Sequence, residues 1–281
     1  MSLLSLDPAL DAGIDDAVAI LRGRSAAVLT GAGVSTDSGI PDYRGEGAPK
    51  GHPMSYQEFL GSHAHRQRYW LGSHLGWSRF AQAKPNAGHD AIARGEAHGV
   101  FGGVVTQNVD ALHHKAGSAK VVDLHGRLDR VRCIHCSQAY SRAAVADMLD
   151  TANPWVAGLQ ISGETRPDGD VAVTRTADFI VPPCPNCGGI VKPEVVFFGE
   201  FVPSAVFEQA AALVNRSEAL VVAGSSLAVN TGMRLVSLAH RRKKPIVVIN
   251  RGVTKSDKVA SVRIEAGTSE TLEELVRRLS F

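Results

Sequence analysis

A chain of 281 residues, 44% of them hydrophobic, is long enough for one large domain with an inserted module, or for two modest domains, around a buried core. Its 30 Lys and Arg against 28 Asp and Glu leave a formal charge of +2, so no strong field favours nucleic acid, an anionic membrane or an acidic substrate, and neither nucleic acid nor membrane is expected as a partner. Met1 to Leu21 holds Asp7, Asp11, Asp15 and Asp16 and no Lys or Arg, the opposite of a signal or transit peptide, and no apolar run approaches the roughly 20 residues that span a bilayer; a cytoplasmic protein is expected.

In chain order the pattern predicts a helix over Asp15 to Arg22 and a strand over Ala26 to Thr30. Strands follow at Val100 to Thr106 and Val195 to Phe198, then a helix at Pro203 to Asn215 and a strand at Ala219 to Ala223. A helix over Thr231 to Arg242, strands at Pro245 to Ile249 and Val262 to Glu265, and a helix over Ser269 to Leu279 with Ser269 as N-cap complete the series. The apolar runs are continuous rather than alternating, as in strands covered on both faces, and strands alternate with helices. This is the α/β pattern of a doubly wound, Rossmann-type parallel sheet.

Two stretches break the alternation. Tyr43 to about Gly88 is rich in His, Gly and aromatics, and Leu128 to about Ile190 holds the cysteines. The expected division is a Rossmann-type domain over 1–43, 89–127 and 191–281, a helical insertion over 44–88 and a zinc-binding module over 128–190. Ser162 to Asp178 reads as a loop or short hairpin. The run Arg241-Arg242-Lys243-Lys244 is read as cations complementing the end of a helix.

The cysteines form two C-x-x-C pairs, Cys133 with Cys136 and Cys184 with Cys187, and none is left over. In a chain of this length such pairs point to metal rather than to disulfides, and four thiolates make a closed tetrahedral site: one structural Zn²⁺ that folds the module without doing chemistry. A redox dithiol is the competing reading.

Thr30 to Thr36 reads TGAGVST directly after a strand, where glycine lets backbone approach a phosphate and a helix N-terminus can face it. A single G-x-G is weak evidence, and the acidic residue that a dinucleotide dehydrogenase carries about 20 residues on is missing, since Gly45 to Tyr56 offers no strand. Asn250, with Arg251 and Gly252 beyond it, ends a buried strand and could serve the ribose instead, and Gly224-Ser225-Ser226 ends another. Gln107, Asn108 and Asp110 stand at the carboxyl edge of the strand ending at Thr106, where α/β sheets bind ligands. His125, followed by Gly126, has the ordinary pKa of a base that works near neutrality, although one of 11 histidines proves little by itself.

Taken in order, GAGVSTDSGIPDYR at Gly31 to Arg44, TQNVD at Thr106 to Asp110, His125-Gly126, the two cysteine pairs, KPEVVFFGE at Lys192 to Glu200, GSS at Gly224 to Ser226 and Asn250 resemble the sirtuins from about residue 20 onward. GIPDYR, the RQRYW stretch at Arg66 to Trp70 and the long gap between cysteine pairs look most like class II sirtuins. The resemblance implies a protein lysine deacylase that consumes NAD as co-substrate. The acyl oxygen of a modified lysine attacks the anomeric carbon of the nicotinamide ribose, nicotinamide leaves, and His125 takes a proton from the ribose hydroxyls so that the 2′-oxygen attacks the resulting amidate. The products are nicotinamide, O-acyl-ADP-ribose and free lysine.

By motif position Asp110 would bind the nicotinamide carboxamide and Asn108 the ribose region, with His125, Asn108 and Asp110 as the catalytic set. Gly31, Ala32, Gly33, Ser35 and Thr36 would hold the phosphates. Asp42, Tyr43 and Arg44 would order or cover the nicotinamide side, beside Gln107 and Val109. Gly224, Ser225, Ser226, Asn250, Arg251, Gly252 and Thr268 would face the adenosine half. Val196, Phe197, Phe198 and Gly199 would take the acylated-lysine protein substrate by strand addition. Sirtuins that remove succinyl or malonyl groups carry Tyr-x-x-Arg, whereas here Tyr69 is followed by Trp70, Leu71 and Gly72, which argues against short dicarboxylates. The Ser162 to Asp178 loop is expected to reach toward the acyl channel. Transfer of ADP-ribose to a protein nucleophile from the same site is the alternative activity; a dehydrogenase with structural zinc and a non-catalytic zinc-stabilised interaction module are weaker ones.

Overall fold

The computed structural model describes residues 7–43, 53–159, 166–171, 173 and 176–280. Its main sheet follows the order β3-β2-β1-β7-β8-β9, all parallel, with β1 at Ala26–Thr30, β2 at Phe101–Thr106, β3 at Val121–Asp123, β7 at Ala219–Ala223, β8 at Ile246–Ile249 and β9 at Val262–Ile264. The first three strands run outward in one direction from β1 and the last three in the other, so the order reverses between β1 and β7, which is where such sheets open a ligand crevice. All five residues of β1 and of β7 are buried, as strands covered on both faces require.

Helices α1 (Pro8–Leu21), α4 (Ala87–Ala97) and α9 (Thr268–Leu279) cover one face, bringing Ile14, Ile92 and Leu272 onto Val28 and Val221. Helices α7 (Ser204–Arg216) and α8 (Asn230–Arg241) cover the other, with Leu213 and Leu235 against Leu29 and Val222. Helix α1 starts a full two turns before the predicted Asp15, because Asp7 caps it by accepting from Ala9 and Leu10 N–H and Pro8 occupies the first turn, where its missing N–H costs nothing. Ser269 is not the cap of α9: Gly267 precedes the helix, and the Ser269 hydroxyl turns to Asp37. In the basic run, Arg241 stands in the last turn of α8, as expected of a cation at a helix end. The Lys244 ammonium donates to the carbonyls of Val214 (2.8 Å) and Asn215 (2.7 Å) at the end of α7, not to those of α8.

A second sheet has the order β5-β4-β6, antiparallel, from β4 (Gly126–Cys133), β5 (Ala139–Ser141) and β6 (Val191–Val195), with α6 (Arg142–Ala152) beside it. The predicted strand Val195 to Phe198 is therefore displaced toward the N-terminus: the paired residues are 191–195, and the chain turns at Gly199, where Glu200 N–H donates to Phe197 O. Pro193 is tolerated because β6 is an edge strand. Helices α2 (Tyr56–Gly61) and α3 (His63–Gln82) pack against the second sheet, with Phe59, Tyr69 and Trp70 in one apolar cluster with Val131, Cys133, Cys184, Val191 and Phe197. Arg142 is buried between the rings of Trp70 (5.4 Å) and Trp77 (5.1 Å) and donates to the Ser73 carbonyl, which ties α6 to α3. No helix among the described residues is long and apolar enough to cross a membrane.

Behind β1, the rings of His89 and His113 lie 4.8 Å apart, both at 1% exposure or less. Burial pushes His89 down to about 4 and His113 well below the ordinary 6.5, so both are neutral in the folded chain and protonate in the unfolded one as pH falls. The stability this confers is complete above about pH 6.5 and is lost as pH falls toward 4; for His89 alone the loss is about 3 kcal/mol. Urea titrations between pH 7 and 4.5 should show a slope of stability against pH that is visibly shallower in His89→Gln; equal slopes would refute the assignment.

Candidate active site

At the reversal between β1 and β7 lies a cavity of about 770 Å³, within the range of small-molecule sites. The loop after β1 forms its floor. Gly31 N–H donates to Ala223 O and Gly33 N–H to Gly224 O, so the loops after β1 and β7 touch backbone to backbone. A Cβ on Gly33 would stand 2.9 Å from Gly224 Cα, and one on Gly224, whose φ is +61°, 2.4 Å from Val34 N. These glycines are thus required by the contact between the two loops, not only by ligand approach. The helix expected after them is also absent: the chain makes two short 3₁₀ turns, Ala32–Val34 and Thr36–Ser38.

The polar wall is a connected network. Asn108 donates to Gly31 O (3.0 Å) and to Ser35 Oγ (3.1 Å), and the Ser35 hydroxyl donates to Asp110 Oδ2 (2.7 Å), whose other oxygen accepts from Leu112 N–H (2.8 Å). Burial raises the Asp110 carboxyl above its usual range, against the pull of these donors. The Ser225 hydroxyl donates to Gln107 Oε1 (2.7 Å), which joins the loop after β7 to the one after β2.

His125 follows β3 and precedes Gly126, whose φ of +77° and whose contact of a built Cβ with Glu194 O at 2.0 Å admit only glycine. Its Nδ1 lies 3.0 Å from the Gln107 carbonyl, which can only accept, so Nδ1 carries the proton and Nε2 presents a lone pair. Nε2 is 2.8 Å from the Thr231 hydroxyl, which donates to it. Burial lowers the pKa of His125, and the Gln107 carbonyl pulls weakly the other way. The imidazole is neutral at pH 7 and able to accept a proton.

Gly31, Ala32, Gly33, Ser35, Asp42 and Tyr43 line this cavity, as do Gln107 to Asp110, His125, Val196 to Gly199, Gly224 to Ser226 and Asn250 to Gly252. Thr36 and Thr268 stand outside the wall, each donating its hydroxyl to Gly33 O. Arg44 lies outside the described residues. Much of the 196–199 backbone is already engaged: Val196 N–H donates to His125 O, Phe197 N–H to Glu200 Oε2, and Phe198 O and Gly199 O accept from Tyr56 N–H and the Gln57 side chain. Tyr43 and Phe198 meet edge to face at 6.4 Å, both partly exposed at the mouth.

Tyr69, singled out above for the acyl group, lines the cavity, whereas sequence reasoning missed Thr231, Met54 and Ile40 in the wall. Thr231 carries no motif signal, being the second residue of α8, and the other two are apolar residues whose place is set by packing. Pro167, Asp168 and Asp170 from the inserted loop also line the cavity, on the side of Tyr69 and Leu128.

At the far end of β4, the four cysteine Sγ atoms lie within 4.8 Å of one another, with Cys133 to Cys187 at 3.5 Å and Cys136 to Cys184 at 3.7 Å. Tetrahedral Zn–S bonds of about 2.3 Å place sulfurs about 3.8 Å apart, so this donor set fits zinc. The Tyr140 hydroxyl (3.1 Å from Cys184 Sγ), His135 N–H (3.4 Å from Cys133 Sγ) and Asn186 Nδ2 (3.5 Å from Cys136 Sγ) supply the donors that thiolates need.

The Sir2 family pattern matches residues 31–231. The NAD-dependent protein deacetylase 1 of Mycobacterium avium is 48% identical over 270 residues, 94% of each chain, and that of Streptomyces coelicolor is 46% identical over 93% of this chain and 88% of its own. A solved Sir2 structure with p53 peptide and NAD⁺ superposes with a TM-score of 0.77 at 29% identity, covering 94% of this chain and 97% of the other, and one of Sir2 bound to acetylated peptide with a TM-score of 0.74 at 28% identity over 94% and 97%. The glycine loop, Asn108, Asp110, His125 and the four-cysteine cluster all fall within the matched span, and the chain belongs to the Sir2 family.

Proposed function

We propose that this chain is an NAD-dependent protein lysine deacylase that releases nicotinamide, O-acyl-ADP-ribose and free lysine. The observation that carries the reading is a neutral His125, its proton fixed on Nδ1 by Gln107 O and its Nε2 lone pair in the same cavity as the Asn108–Ser35–Asp110 network. NAD supplies the ribose that accepts the acyl group and the nicotinamide that leaves. Asp110 and Asn108 bind the carboxamide and the nicotinamide ribose, the loop at Gly31 to Ser35 receives the phosphates, and Ser225, Ser226 and Asn250 face the adenosine side. Arg251 and Gly252 complete that half, Asp42 and Arg44 order the nicotinamide side with Tyr43, and Thr36 and Thr268 support the phosphate loop through Gly33 O. His125 Nε2 takes a proton from a ribose hydroxyl once nicotinamide has gone, and Tyr43 closes over the vacated space against Phe198, keeping water out.

The acylated-lysine segment of a protein substrate docks at Val196 to Gly199, where Phe198 at 48% and Phe201 at 93% exposure offer an apolar rim. The domain division is 1–43 with 89–127 and 191–281 for NAD, 44–88 for the helical insertion and 128–190 for the zinc module, in a cytoplasmic enzyme of class II type with one structural zinc ion.

Incubation with NAD and an acetyl-lysine peptide should produce nicotinamide and O-acetyl-ADP-ribose in equal amounts, both dependent on the peptide, by mass spectrometry. Nicotinamide release with ADP-ribose retained on protein would overturn the reading in favour of a transferase.

A further inference from the structure

The hairpin 166–170 closes one end of the cavity, and it is built to stay there. Arg166 N–H donates to Asp170 O (2.8 Å) and Gly169 N–H to Arg166 O (2.9 Å), which makes the turn, and Gly169 takes a φ of +74° at its tip. The turn is seated on α3 at two glycines one helical turn apart. A Cβ on Gly76 would stand 2.0 Å from Gly169 O, and one on Gly72 would stand 2.0 Å from Asp170 Oδ1 and 2.6 Å from Val171 O. The Asp170 carboxylate thus fills the space into which a side chain at position 72 would grow, three residues after Tyr69 on the same helix.

Among the described residues lining the cavity beside Tyr69, the charged ones are Asp168 and Asp170; Arg166 and Arg68 are near but do not line it. Burial and both aspartates hold the Tyr69 phenol neutral. Arg166 approaches Asp170 Oδ2 at 3.5 Å, longer than a charge-assisted hydrogen bond, while Asp170 Oδ1, buried against Gly72, has no hydrogen-bond partner among the described residues. Tyr69 and Phe197, 5.1 Å apart between ring centroids, lead from the substrate segment toward this pair.

We infer that Asp168 and Asp170 make this enzyme select acyl-lysines whose acyl chain ends in a hydrogen-bond donor, an ammonium group above all, and reject those that end in a carboxylate. The inference rests on the deacylase reading above and names its substrate class. Burial, and then Asp168, push Asp170 up to about 7, with Arg166 and the more distant Arg68 opposing: near neutrality this carboxyl half-holds a proton, which a ligand cation would displace. Lining by Met54, Val109 and Leu128 leaves the stem of the acyl chain in apolar surroundings, so that the distal group decides between substrates of equal length.

The test compares three peptides of one sequence, carrying lysine acylated with pentanoyl, 4-aminobutanoyl or glutaryl groups, together with acetyl-lysine, at pH 7.5. The wild type should favour the ammonium-ended chain over its methyl-ended counterpart by about tenfold in kcat/KM, and disfavour the carboxylate-ended one by at least as much. In Asp168→Asn with Asp170→Asn both ratios should fall toward one, and because each ratio is taken within one variant, any general loss of activity divides out. Should the double variant be inactive, Asp168→Asn alone should lower both ratios. Turnover of acetyl-lysine with no order among the three longer chains, or ratios unchanged in the variants, overturns this inference alone. No turnover of any acyl-lysine overturns the deacylase reading as well.

Discussion

Removal of zinc is expected to unfold the segment around β4–β6 and, with it, to abolish activity in the neighbouring cavity. Cys133 and Cys184 are 0% and 2% exposed and sit in the apolar cluster that also holds Phe59, Tyr69 and Phe197. Without a cation, four thiols within 4.8 Å, two of them buried, lose both their mutual neutralisation and the clasp that joins 133–136 to 184–187. Structural zinc in small modules supplies on the order of 10 kcal/mol of folding free energy, comparable to the whole stability of a domain. The chain enters this sheet directly after His125, at Gly126, and leaves it at Val195, directly before the cavity-lining residues 196–199, so both flanks of the cavity are ends of strands joined to the cysteine cluster. A strong chelator should therefore release one equivalent of zinc, lower the melting temperature by at least about 10 °C and remove deacylation; Cys136→Ser should do the same without chelator. Cobalt in place of zinc should give the intense visible bands of a tetrahedral thiolate site. Metal-free protein that melts and turns over like the native protein would refute a structural role.

How much of this was legible depended on where the information resides. The strands Ala26 to Thr30 and Ala219 to Ala223 are continuous apolar runs between polar turns, and they form where their residues say they should. The cysteine pairs and the Gln107–Asp110 cluster are local chemistry, readable at fixed spacing. What escaped is set by long-range packing. Strand β3 has only three residues and exists because β2 offers it an edge. Strand β6 carries Lys192 and Pro193, poor strand residues, yet forms because Lys192 reaches Glu200 at 3.0 Å and Pro193 needs no N–H at a sheet edge. Thr231 became part of the site through the packing of α8, 106 residues from His125. The same holds for Gly72: as a sequence feature it was only the absence of an arginine after Tyr69, and the structure supplies what occupies that absence.

Replacing His125 by Ala is expected to reduce deacylation turnover by about 10³-fold, the scale of a lost general base, while exchange of labelled nicotinamide into NAD survives. The asymmetry follows from the roles proposed above: the base would act on the ribose hydroxyl after nicotinamide has left, so the earlier, reversible step would need only Asn108, Asp110 and the glycine loop. The pH profile gives a second handle. Burial depresses His125 below 6.5, so its neutral form, and with it kcat/KM, should persist below pH 6.5 and fall only as pH drops through the lowered value. Thr231 donates to Nε2 at 2.8 Å and fixes the orientation of the ring; Thr231→Val should lower deacylation turnover while nicotinamide exchange survives, and Thr231→Ser should restore turnover. A merely structural threonine would lower both activities together. Nicotinamide exchange lost in step with deacylation in His125→Ala would place the histidine in the first step instead, and would require a different group to deprotonate the ribose.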